Sequence, residues 1–181
     1  MAFQSLIGKP APSITLPNYD GQTFTFTPGE TGLPAAIFFY PHAGTYGCTR
    51  EACQFRDAIA EKDTFKPGKV QIIGISTDSV ERQKAFYPVL SDEDKVAVTA
   101  YGVGKGLMGL APVARVTFII DKKGILRDAL DATVNYGAHS KFVSKWLDKL
   151  DEEDKAGAPA STATATAEEP QPETVERCVG A

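Results

Sequence analysis

"AAIFFYPHAGTYGCTREACQFRD" occupies residues 35–57, and its reading decides the fold. Ala35 to Tyr40 form a continuous apolar run, which suits a central strand covered on both faces. Pro41 ends the run. From about Tyr46 to Lys62 the spacing turns helical, with Ala52, Phe55 and Ile59 at i, i+3 and i+7 and charges between them. The stretch therefore predicts strand, loop and helix in succession, with Cys48 where the loop becomes the helix.

The flanking sequence extends the pattern. Asn18-Tyr19-Asp20-Gly21 predicts a hairpin turn, and Thr23 to Thr27 alternate as a half-exposed strand. Val70 to Ser76 predict a second buried strand, Val80 to Tyr87 a helix stopped by Pro88, and Val96 to Val98 a short strand. Val116 to Ile120 predict a strand that turns through Asp121-Lys122-Lys123-Gly124 into Ile125 to Leu130. Phe142, Val143, Trp146, Leu147 and Leu150 stripe a last helix. Strands alternating with helices predict an α/β sheet with helices covering it.

At 181 residues and 43% apolar content, the chain suits one domain with an appendage. The net charge of −4 is unevenly spread: 8 acidic and 2 basic residues lie from Asp151 onward, leaving 15 acidic and 17 basic before it. The expected domain is residues 1–150. Residues 151–181, with "AGAPASTATATAEEPQPE", hold too little apolar surface to offset their ordering entropy and are expected to be a disordered acidic tail. No basic patch points to nucleic acid. No apolar run of membrane-spanning length and no basic-then-apolar leader occur, so neither a membrane span nor a secretory signal is expected. Three cysteines are too few, and odd in number, for a secreted disulfide framework. A reducing compartment is expected, the cytoplasm first and the nucleus second.

Cysteine acts as a nucleophile only as thiolate, and at an unperturbed pKa of about 8.5 only a few per cent is ionised near neutrality. Free N–H groups and the dipole at a helix start, with Arg50 and Arg56 nearby in sequence, are expected to favour the Cys48 anion. Cys53 follows five residues later. On a helix that offset is about 500° of rotation, leaving the side chains about 140° apart and the Cα atoms about 8–9 Å apart. A disulfide needs roughly 4.4–6.8 Å, so a bond between these cysteines requires the first turns to unwind. That geometry fits a redox cycle better than a static staple.

A peroxide suits such a thiolate. Its weak O–O bond needs only the sulfur and hydrogen bonds to the departing oxygen, which Thr45 and backbone N–H groups around Gly47 and Cys48 can supply. A cysteine hydrolase would want a histidine base. His42 lies on the loop and His139 heads the last helix; neither placement demands that role, and both read as surface residues. Gly104 to Gly109 formally match G-x-G-x-x-G, but a proline and strand formers follow, so the segment reads as a loop and not a dinucleotide site.

Pro41-x-x-x-Thr45-x-x-Cys48 resembles the active-site signature of the peroxiredoxins. The extension from Gly47 to Asp57, with Cys53 five residues after Cys48, resembles the bacterioferritin-comigratory-protein or Prx Q subfamily. The resemblance covers about residues 5–150, including "IGKPAPSITLPNYDG" and "ARVTFIIDKKG". It implies a thioredoxin-like fold: a central mixed sheet with flanking helices and an N-terminal hairpin. It implies a thiol peroxidase acting on hydrogen peroxide and organic hydroperoxides, without metal, flavin or haem. Cys48 would be the peroxidatic cysteine and Cys53 the resolving one, joined in an intramolecular disulfide that a thioredoxin-like protein reduces. Thr45 and Arg115 would hold the peroxide and the thiolate, and Pro41 would pack over the sulfur. A monomer or weak homodimer is expected. Glu51 either positions an arginine or is an exposed helix charge. Cys178 lies in the tail, outside the resemblance, and reads as an incidental exposed thiol. The alternative is a peroxide sensor or relay that passes a disulfide to a client through Cys178 or Cys53.

Overall fold

The computed structural model describes residues 2–44, 46–48, 50, 51, 54, 55, 68–83, 89–132 and 135–157. A 3-10 turn at Ala2–Leu6 leads into a hairpin of β1 (Ile14–Pro17) and β2 (Thr23–Phe26). Its turn closes where Gly21 N–H donates to the Asn18 carbonyl and Gln22 N–H to the Asn18 side chain. The central sheet comprises β3 (Ala35–Phe39), β4 (Gln71–Ser76), β5 (Val89–Ser91), β6 (Val116–Ile120) and β7 (Leu126–Asp131), in the order β5-β4-β3-β6-β7. The β3–β4 and β4–β5 pairs are parallel, while β3–β6 and β6–β7 are antiparallel. Three helices belong with it: α1 (Val80–Gln83), α2 (Val96–Ala100) and α3 (Tyr136–Gly157). Residues 46–48, 50, 51, 54 and 55 are helical as well. The mixed sheet, its flanking helices and the N-terminal hairpin are the expected thioredoxin-like arrangement.

Strand β3 is buried along its whole length, which is why it is apolar without alternation. Ala35, Ile37 and Phe39 join Ile14, Leu16, Phe26, Tyr101 and Phe118 on one side of the sheet. Ala36, Phe38 and Tyr40 join Phe55, Val143, Leu147 and Leu150 on the other, and Cys48 belongs to this second cluster. Phe38 stacks on Phe55 with ring centroids 4.7 Å apart. Gly74 on the neighbouring strand makes room for it, because a Cβ there would lie 2.7 Å from the Phe38 ring. Full burial of such an aromatic side chain contributes roughly 1.5–3 kcal/mol.

Three expectations need correction or a limit. Val96 to Val98 are helical, not a strand. Two valines favour a strand locally, but the Asp92 carboxylate accepts hydrogen bonds from Ala97 N–H (3.2 Å) and Val98 N–H (2.8 Å) and so satisfies the free donors of a helix start. The strand in this region is β5, which is too short to show a period. The last helix runs to Gly157, past the boundary placed at 150. Its acidic end is tied to the body by Lys122–Asp154 at 2.7 Å and Arg127–Glu153 at 2.9 Å. The tail beyond Gly157, with Cys178, lies outside the described residues, as do residues 84–87 of the helix expected over Val80 to Tyr87. Among the described residues no helix is long and apolar enough to cross a membrane.

Candidate active site

The chain leaves β3 through a loop that a polar hub holds in place. Asp78, just past the end of β4, accepts hydrogen bonds from Ala43 N–H at 2.6 Å and from the Ser76 hydroxyl at 3.0 Å. His42 Nδ1 lies 3.2 Å from the same carboxylate, and Arg82 Nε 3.4 Å from it. Gln83 and Ser91 brace the hub from behind by donating to Ser76 Oγ (2.8 Å) and to the Asp78 carbonyl (2.7 Å). The loop then turns at Gly44, whose φ of +78° suits glycine. Tyr46, Gly47 and Cys48 are helical, so Cys48 stands close after the loop.

Cys48 is only 2% exposed. Its polar partner comes from across the sheet. Arg115, immediately before β6, is buried and donates from Nη2 to Cys48 Sγ at 3.1 Å. The Nη1 of the same guanidinium bonds to Glu51 Oε2. Glu51 stands three residues after Cys48, on the same helix face, and is buried too. Of the two roles open to Glu51, the structure selects the one that positions an arginine. Burial works against the Arg115 charge, but Glu51 and Cys48 outweigh it and hold the guanidinium pKa above its ordinary value. Burial pushes the Glu51 carboxyl up to about 7, against the pull of Arg115.

Behind Glu51 lies His139, which is wholly buried and not the surface residue expected. Its Nδ1 is 2.8 Å from Thr117 Oγ1 and its Nε2 2.9 Å from the Ala132 carbonyl. Its Nδ1 is also 3.7 Å from Glu51 Oε1. Burial pulls its pKa down to about 4, which leaves the ring neutral. A signal for this was present in the sequence: His139 precedes Val143 and Leu147 at i−4 and i−8, on the buried stripe of α3. The Asp78 hub had no comparable signal, because its partners come from separate segments.

The other expected site residues divide. Pro41 sits half-buried two residues past the end of β3, just before the residues that Asp78 holds. Thr45, Cys53 and Arg56 lie outside the described residues. Arg50 turns to Tyr46, donating to its hydroxyl at 2.8 Å with the guanidinium 6.0 Å from the ring centroid. His42 is partly exposed and committed to Asp78. Gly104 to Gly109 form a loop closed by a short 3-10 turn before β6, as expected. Among the described residues no group of His, Cys, Asp and Glu is placed to hold a metal ion. What remains is a sulfur walled by Phe38, Tyr40, Ala43 and Phe55, with a fixed cation donating to it. Such a centre can hold a thiolate and an oxygen that gains negative charge.

The AhpC/TSA family matches residues 7–129. A Mycobacterium tuberculosis protein named as a peroxiredoxin is 41% identical over 115 residues, covering 59% of this chain and 73% of the relative. The chloroplastic peroxiredoxin Q of Populus jackii is 36% identical over 127 residues, covering 66% of this chain and 57% of the relative. Among solved structures, the Xanthomonas campestris bacterioferritin comigratory protein superposes with a TM-score of 0.63 at 25% identity, covering 75% of this chain and 90% of that one; its structures bear on its alkyl peroxide reduction activity. This chain belongs to the AhpC/TSA family, and within it to the peroxiredoxins of the bacterioferritin-comigratory or Q type; it is a thiol peroxidase. Peroxiredoxins act on hydroperoxides and are recycled by thioredoxin-like reductants. The sensor or relay alternative is not favoured.

Proposed function

We propose that this thiol peroxidase works through Cys48 as the attacking sulfur, with Arg115 as the group that holds the thiolate and the peroxide. The observation that carries this assignment is the 3.1 Å hydrogen bond from Arg115 to Cys48 Sγ, inside a buried cluster where Glu51 fixes the guanidinium. The thiolate attacks the terminal peroxide oxygen, forming an S–O bond as the O–O bond breaks. The electron pair leaves with the other oxygen, which takes a proton and departs as water or an alcohol. Thr45 and the backbone N–H groups at Gly47 and Cys48 assist the departing oxygen, and Pro41 shields the sulfur.

The Cys53 thiol then condenses with the Cys48 sulfenic acid, releasing water and forming the disulfide. The two positions are too far apart on an intact helix, so this step unwinds the turns between them. A thioredoxin-type dithiol reduces the disulfide and is itself oxidised. Both hydrogen peroxide and organic hydroperoxides are substrates in this reading; the alkyl peroxide activity of the Xanthomonas relative supports the latter. We place the enzyme in the cytoplasm or nucleus, as a monomer or weak homodimer.

Coupled turnover tests the assignment. With thioredoxin, its reductase and NADPH, wild type consumes peroxide continuously and Cys48→Ser not at all. A Cys48→Ser protein that retained turnover would refute the role of Cys48.

A further inference from the structure

His139 has no part in the cycle above, yet it is buried one residue away from the Arg115 clamp. Its Nε2 faces the Ala132 carbonyl and therefore carries the ring hydrogen. In a neutral ring Nδ1 is then a bare acceptor. It faces two oxygens, Thr117 Oγ1 at 2.8 Å and Glu51 Oε1 at 3.7 Å, the second a contact that a small closure of the carboxyl would turn into a hydrogen bond. Glu51 Oε1 is buried and has no hydrogen-bond partner among the described residues. An ionised Glu51 would thus direct a lone pair at a lone pair, and a proton between the two atoms removes that conflict.

Charge leads to the same place. A Cys48 thiolate, the Arg115 cation and a Glu51 carboxylate together leave one uncompensated negative charge in a buried cluster, which is costly. One proton on Glu51 makes the cluster neutral. The remaining groups facing it supply no charge: Tyr40 is held in its phenol form by burial, and Thr117 is a hydroxyl. The Thr117 hydroxyl can donate to Nδ1 or rotate away.

We infer that His139 is a positioning residue of the peroxidatic centre: its Nδ1 accepts the hydrogen bond of a protonated Glu51, so that Glu51 orients Arg115 without cancelling the guanidinium charge at Cys48. This rests on the assignment of Cys48 and Arg115 made above. A purely packing histidine would be satisfied by Thr117 and Ala132 alone and would leave Glu51 and Cys48 untouched.

Infrared difference spectra of the reduced, full-length protein separate the two roles. At neutral pH, wild type minus Glu51→Gln should show the carbonyl stretch of a protonated carboxylic acid. In His139→Leu that band should move to higher frequency or vanish. The thiol ionisation profile of Cys48 should also move to higher pH by about one unit, and its oxidation near neutrality should slow up to about tenfold. A wild type with no protonated-carboxyl band, or a folded His139→Leu with unchanged band and unchanged thiol titration, overturns the inference. If His139→Leu does not fold, nitrogen NMR of the wild-type imidazoles still decides, since the chain has only 2 histidines. The Nδ1 signal of His139 should move in Glu51→Leu, and an unmoved signal overturns the inference. Failure of the peroxidase assignment would look different: the carboxyl band would be present while peroxide left Cys48 unoxidised.

Discussion

Arg115 holds Cys48 with one nitrogen and Glu51 with the other, so a single guanidinium joins the Cys48 helix to the start of the strand beside β3. Only a planar, forked cation can make both contacts at once. Arg115→Lys supplies a point charge and loses the fork. Its rate constant for oxidation of Cys48 by hydrogen peroxide should fall by roughly 10²-fold, the size of losing one preorganised donor. Stopped-flow fluorescence of the reduced protein measures this, and a loss under about threefold would contradict the clamp.

The Glu51–His139 pair should show itself in stability as well as in rate. Folding moves Glu51 from an ordinary 4.5 up to about 7 and His139 from 6.5 down to about 4. Between those limits folding adds a proton to the acid and removes one from the imidazole, so the pair contributes almost no net slope to stability against pH. Glu51→Gln leaves the depressed histidine alone. Relative to wild type, its stability should rise with pH between about 4.5 and 7, because the opposing contribution of the raised carboxyl is gone. His139→Leu leaves the raised carboxyl alone, so relative to wild type its stability should fall as pH rises from about 4 to 6.5, the opposing contribution of the histidine being gone. Urea unfolding across that range reads both slopes, and parallel curves for all three proteins would contradict the pairing.

Asp78 should matter although it touches no substrate. Asp78→Ala removes the acceptor of Ala43 N–H and Ser76 Oγ, both buried, and should cost about 1–3 kcal/mol for each donor left unpaired. Because the same bond seats the loop before Cys48, peroxide reduction should slow even where the protein remains folded. Urea titration and peroxide kinetics on one sample check this. A variant that is destabilised and slow while still folded fits a positioning hub for the loop, and a destabilised but fully fast one does not.

Strand β3, the loop and the start of the Cys48 helix were legible because local sequence dictates them: an unbroken apolar run, a proline and a helical stripe; residues 49, 52, 53 and 56–62 of the expected helix lie outside the described residues. The hairpin and the alternation of strands with helices followed from the same kind of pattern. Val96 to Val98 misled because the Asp92 carboxylate caps what β-branched residues alone would extend. Arg115 was found only through resemblance, since no spacing along the chain joins it to Cys48. The burial of His139 was signalled by its place on the α3 stripe, but its approach to Glu51, like the Arg115–Glu51 bond and the Asp78 hub, is a product of tertiary packing. They bring together groups that lie 64, 88 and 35 residues from their partners: the Arg115 side chain from Glu51, the His139 ring from Glu51, and the Ala43 N–H from Asp78.

The central claim is a cycle between Cys48 and Cys53, and a thiol map after limited oxidation tests it most directly. Reduced protein receives less than one equivalent of hydrogen peroxide, free thiols are blocked within seconds, and modified peptides are identified by mass spectrometry. The account predicts a Cys48–Cys53 disulfide as the main product. A lasting Cys48 sulfenic acid, or a bond from Cys48 to Cys178, would contradict the role of Cys53. Absence of preferential oxidation at Cys48 would contradict the assignment of the reacting sulfur itself.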